Sequence, residues 1–154
     1  MNKLIALALA GAVLVAGTAF AADPVVGTWK LDVAKSKFSP GPAPKSGTRV
    51  YTEANGVYTL NATTTGADGK ESTLSVQYRE GAENKMPTNA GGIDAITAQK
   101  KSDNDWSFQL KSGGKVVGHV HRVVSADGKT LSVHNTGKQP SGASGNDQMV
   151  FERQ

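Results

Sequence analysis

The sequence contains no cysteine, so no disulfide framework supports the fold and no lipid attaches through an N-terminal thiol. It has no apolar run long enough to cross a bilayer as a helix. The longest, Leu4 to Val15, is about a dozen residues, against the ~20 that a span requires. Amphipathic helical periodicity is missing, as are a Gly-x-Ser-x-Gly elbow, a phosphate-binding glycine loop and any close Ser, His and Asp set. These absences exclude the common hydrolase and nucleotide-binding sites and leave a chain of strands. Large aliphatic side chains are sparse beyond the first segment, and valine fills most other apolar positions. Valine suits strands but fills space thinly, which fits either a small core or a barrel with room for a ligand.

What is present begins with a leader. Lys3, the apolar run and the small-x-small triplet Ala19-Phe20-Ala21 have the order of a secretory signal, with cleavage expected near Ala21 or Ala22. The expected organisation is a signal peptide over 1–21 and one domain over 22–154, periplasmic or secreted, with no integral membrane segment after maturation. Of 17 Lys and Arg and 13 Asp and Glu, only Lys3 falls in the leader, so the remainder carries a net charge of +3. The lysines stand singly or in pairs, such as Lys35 and Lys37, with no interleaved aromatic stripe. That pattern is a solvated surface, not a nucleic-acid interface.

The chain organises around Val25 to Leu31, where period-2 alternation places Gly27, Trp29 and Leu31 on one face. Asp32 to Phe38 reads as a helical turn or two capped by Asp32. Pro40, Pro42 and Pro44 make the next stretch an extended loop. Asn55-Gly56 marks a two-residue hairpin that sets Tyr51 opposite Leu60, Glu53 opposite Tyr58 and Arg49 opposite Ala62. The Asp68-Gly69 turn then sets Leu60 opposite Val76, Ala62 opposite Leu74 and Tyr58 opposite Tyr78. Two turns read independently place one apolar set on one face of a meander.

Further on, 79–92 and 137–147 read as long loops, and 93–100 as a strand with Ile96 and Ala98 inward. Trp106, Phe108 and Leu110 form the clearest alternating strand, followed by strands over 115–125, 129–136 and 148–153. About nine antiparallel strands joined by tight turns predict an all-β domain, a single up-and-down β-barrel whose closure removes its exposed edges, with a two-sheet sandwich as the alternative.

With Gly27, Thr28 and Trp29 on its first strand, the chain resembles the lipocalin and calycin group. It is most similar there to the small secreted bacterial lipocalin-like proteins that begin Gly-Thr-Trp-Lys-Leu soon after the signal. The resemblance implies a barrel able to hold a small apolar molecule, with Trp29 plugging one end and a late-strand arginine, Arg153 or Arg122, packed across it. The Thr-Asp-x motif of animal lipocalins is absent.

Candidate ligand-lining residues are Tyr51, Tyr58, Leu60, Val76, Tyr78, Trp106 and Phe108, together with His119 and His121. A two-residue turn at Gly113-Gly114 turns both histidines toward the aromatic strand. A three-residue turn instead turns Val116, Gly118, Val120 and Val124 inward. If the Asp127-Gly128 turn copies its twin at Asp68-Gly69, His121 pairs with Val133 and His134 points away; a two-residue turn there sets His121 opposite His134 and brings three imidazoles within reach of a metal. The first register is expected, with no metal site and no cofactor. The expected function is non-enzymatic binding of a small, mainly apolar ligand, with action through the surface loops 79–92 and 137–147 as the alternative. The sequence points to no particular protein partner.

Overall fold

The computed structural model describes residues 21–154, so almost all of the expected leader lies outside the described residues. Ten strands follow in order: β1 (Gly27–Leu31), β2 (Ser46–Ala54), β3 (Val57–Thr65), β4 (Glu71–Tyr78) and β5 (Glu83–Lys85), then β6 (Ala95–Lys100), β7 (Asp105–Ser112), β8 (Lys115–Val124), β9 (Thr130–Lys138) and β10 (Ser144–Arg153). No helix forms among the described residues. Asp32 caps only a single turn, accepting from the Lys35 amide at 3.0 Å.

The strands make one antiparallel sheet in the order β4-β3-β2-β1-β10-β9-β8-β7-β6-β5. First and last strands join at Trp29 and Arg153, so the sheet curls into a nearly closed barrel with a seam between β4 and β5. Polar groups bridge that seam. The Asn84 side chain bonds the Arg79 backbone, Glu80 bridges to Ala98, and Asn89 Nδ2 donates to the Thr73 carbonyl at 2.9 Å. A few of the edge groups thereby find partners without full closure.

Both hairpin registers deduced for 49–78 are present residue for residue. Alternation then points Trp29, Tyr51, Tyr58, Val76, Tyr78 and Trp106 into the barrel, where all are buried. Trp29 is fully enclosed, and its indole donates to the Val25 carbonyl at 2.8 Å.

The structure has ten strands rather than nine, because the stretch expected as one loop contributes β5. The polar segment 137–147 is likewise mostly strand, with β9 and β10 running on until only 139–143 connects them. Composition misled there: Gly145 lies where a Cβ would strike the Ser39 carbonyl and the Gln139 amide, so glycine marks close packing, not a flexible connection.

Candidate functional site

The barrel interior divides into a filled end and a hollow one. At the filled end Tyr58 stacks on Tyr78 at 5.4 Å, and Trp106 meets Tyr58 edge-on at 5.0 Å. Phe108 meets Tyr78 edge-on at 5.3 Å. The N-terminal segment seals this end, with the Tyr58 hydroxyl donating to Asp23 at 2.7 Å and Lys100 lying 3.8 Å from the same carboxylate. Arg153 completes the seal: its guanidinium lies 4.2 Å from the Trp29 ring centroid and donates to the carbonyls of Pro24, Val26 and Gly128.

Arg122 stands elsewhere, deep inside the barrel at 2% exposure. Its guanidinium carbon sits 5.2 Å from the Tyr51 centroid, 5.1 Å from Trp106, 5.2 Å from Phe108 and 6.0 Å from Tyr78. One nitrogen, Nη1, donates to the Tyr78 hydroxyl at 2.5 Å. Among the described residues Nε and Nη2 find no partner, and neither do Trp106 Nε1 and Asn135 Oδ1. A buried cation with unmet donors carries a desolvation penalty of several kcal/mol that a pocket of aromatic faces offsets only in part.

The phenol that touches Arg122 cannot serve as its counter-charge. Burial pushes the Tyr78 hydroxyl up to about 12, although Arg122 pulls the other way, and it stays neutral at physiological pH. Burial and the neighbouring Asp23 carboxylate also push Tyr58 well above the ordinary phenol range. Arg49, half-buried on the same wall, adds a second positive charge: it donates to Tyr51 at 3.3 Å and lies over Phe151 at 4.8 Å. The hollow end therefore has a positive floor, and among the described residues neither guanidinium has a carboxylate within ion-pair distance.

Above that floor lies a cavity of about 80 Å³. Its walls are apolar and include Leu60, Leu74, Val76, Ile96 and Leu110, while Met86 and Pro140 reach in from the loops over the mouth. Those loops are packed in place. Ala90 and Ile93 are buried, and Gly91 and Gly142 bring the two loop backbones together where a Cβ on Gly91 would overlap Gly142 and the Pro140 carbonyl. Such an approach requires glycine.

His119 and His121 do not line the interior. The Gly113-Gly114 turn is the two-residue type, pairing Ser112 with Lys115, but a bulge follows at once and pairs Leu110 with Gly118. The extra residue, Val117, reverses which face each later side chain takes. Val120, Arg122 and Val124 turn inward, His119 and His121 face solvent, and Val116 remains outside at 44% exposure. The bulge needs two facing glycines: a Cβ on Gly137 would meet the Val117 carbonyl at 2.6 Å, and one on Gly118 would overlap β9 backbone.

The expected His121 register also fails. His121 pairs with His134, not Val133, because the second Ala-Asp-Gly-Lys turn is one residue longer than its twin. Ser125 stands where the first turn has Gly66, and its hydroxyl accepts from the Thr130 amide at 2.9 Å while donating to Asp127 at 2.6 Å. The imidazoles are engaged separately, His121 with Asp105 at 2.8 Å and His134 with Asn146 at 2.7 Å. Among the described residues no three histidine, cysteine or carboxylate groups gather into a metal-holding set. A larger hollow, about 630 Å³, lies over the outer faces of β6 to β9 beside these histidines. Its lining mixes polar and apolar residues, and no buried unpartnered group lines it, whereas the smaller interior cavity has one in Arg122.

Arg122 is the residue that sequence reasoning placed wrongly, as a possible neighbour of Trp29. The available signal was its parity with Val120 and Val124, an arginine on an otherwise apolar face.

No protein-family model matches the chain, and no curated protein matches its sequence. Solved structures do. A Schistosoma mansoni fatty acid binding protein in complex with arachidonic acid superposes with a TM-score of 0.60 at 16% identity, covering 85% of this chain and 96% of that one. The fluorescent protein UnaG gives 0.59 at 16% identity over 84% and 96%, and a zebrafish ileal bile acid-binding protein complexed with cholic acid gives 0.57 at 10% identity over 85% and 99%. At such identities the likeness establishes architecture: a calycin-type up-and-down barrel of the fatty-acid-binding-protein shape.

Proposed function

We propose that this protein is a non-enzymatic binding protein, periplasmic or secreted, that holds a small, mainly apolar molecule with an anionic group inside its barrel. The observation that carries the proposal is Arg122, a buried cation with two unpartnered nitrogens at the floor of an apolar cavity. An anion there satisfies donors that the protein leaves unmet, and the aliphatic walls accept the rest of the molecule. The barrel neighbours, whose ligands include arachidonic acid and cholic acid, support the same reading. The leader pattern of the first 21 residues supports the location.

Action through surface loops gains no comparable support. Ala90, in the loop 79–92 of that alternative, is buried in the fold and presents no apolar surface to a partner. Native mass spectrometry of the full chain expressed with its leader and recovered from the periplasm or medium tests the proposal. The expected spectrum shows a releasable anionic adduct on the wild type and bare protein for Arg122→Leu. Bare protein in both, with no response to added organic anions, refutes it.

A further inference from the structure

Resting on the reading just given, we propose that the interior site is built for a compact carboxylate of two to four carbons and rejects long-chain ones. The chemistry of the anion follows from which donors are unmet. Nε and Nη2 of Arg122 lie side by side on one edge of the guanidinium, and both are unpartnered, while Nη1 is held by Tyr78. That edge is a two-pronged donor whose spacing matches the two oxygens of a carboxylate.

The size follows from three boundaries. The cavity holds about 80 Å³, room for roughly three to six water-sized groups, and pockets for drug-sized ligands begin near ~300 Å³. Its floor is fixed, because the aromatic rings beneath Arg122 are packed edge to face and Trp106 is 1% exposed. The loops beside its opening are packed in place. Gly91 and Gly142 place loop backbone against loop backbone, and Asn89 ties the first loop to β4. Acetate, propionate and butyrate, with four to six non-hydrogen atoms, fit in a space for roughly three to six such groups. On this proposal the limit on chain length is set by Met86 and Pro140, which line the cavity from the loops.

The test is a titration of the full mature chain, followed through the Arg122 Nε–H and Trp106 indole N–H resonances, with acetate, propionate, butyrate, octanoate and dodecanoate at constant ionic strength. The expected result is saturable shifts with the three short acids and at least tenfold weaker binding from octanoate onward. Arg122→Leu abolishes the response, and Arg122→Lys, which keeps the charge but loses the fork, weakens it at least tenfold. Near-ultraviolet circular dichroism checks that both variants are folded. Affinity that rises steadily with chain length through dodecanoate overturns the size limit and leaves Arg122 as the anchor. No response to any acid overturns the anchor itself, and with it the proposed function.

Discussion

Replacing Arg122 and its partner together, as Arg122→Leu/Tyr78→Phe, separates a site residue from a structural one by its effect on stability. The guanidinium is 2% exposed, so its burial costs several kcal/mol. Against this stand one charge-assisted hydrogen bond to Tyr78, worth about 1.5–3 kcal/mol, and a cation shared among four rings, worth roughly 2–3 kcal/mol together. These contributions nearly cancel. The double variant removes the cation without orphaning the Tyr78 hydroxyl, and the leucine adds about 1.5–3 kcal/mol of apolar burial. The unfolding free energy is therefore expected to stay level or rise by up to ~3 kcal/mol. Urea unfolding followed by tryptophan fluorescence measures it, with an unchanged slope showing that the transition is the same one. A fall of more than about 3 kcal/mol, the size seen when a satisfied buried ion pair is broken, refutes the claim that Arg122 is held unsatisfied for a ligand.

Three further outcomes follow from the same structure. Trp29→Ala is expected to cost about 3–5 kcal/mol in urea unfolding, because the indole is fully enclosed, bonded to Val25 and covered by Arg153. Gly137→Ala is expected to cost at least ~1–3 kcal/mol, since the residue has φ of +78° and its Cβ would meet the Val117 carbonyl; a thermal melt with no loss would show that the bulge tolerates a side chain. Above pH 10 stability is expected to fall. Tyr78 keeps its proton in the folded state up to about pH 12 while the unfolded chain loses it near pH 10, so the stability it contributes is complete below pH 10 and is lost as pH rises across that window, by roughly 1.4 kcal/mol per unit. Urea midpoints measured across that range, compared with Tyr78→Phe, isolate this contribution from the titrating lysines.

The sequence was most legible where two short-range signals met. Asn55-Gly56 and Asp68-Gly69 each specify a turn type, each turn dictates a register, and the registers agree on the inward set that includes Tyr51, Tyr58, Leu60, Val76 and Tyr78. Trp106 and Phe108 declared themselves by alternation alone. What failed were stretches whose small or polar residues face other backbone. Gly145 and its neighbours read as loop because composition registers the lack of a side chain and cannot register the Ser39 carbonyl that forbids one. Cavity size was equally hidden, since it depends on how the large rings at the closed end interlock and on where Met86 and Pro140 come to rest over the mouth.

The interior chemistry turns on a single inserted residue. Without the bulge at Val117, a two-residue Gly113-Gly114 turn carries His119 and His121 into the barrel and puts Arg122 in water. The interior would then have imidazoles beside the aromatic rings in place of a buried, unpaired guanidinium. Gly118 and Gly137 allow the bulge, yet they sit on different strands and act as a pair only in the β8–β9 register. That register is set by a four-residue turn, which a serine hydroxyl at position 125 holds open where the twin turn has glycine. The charge at the floor of the cavity thus depends on a side chain at the far end of β8, through a register that no local pattern in β8 itself records.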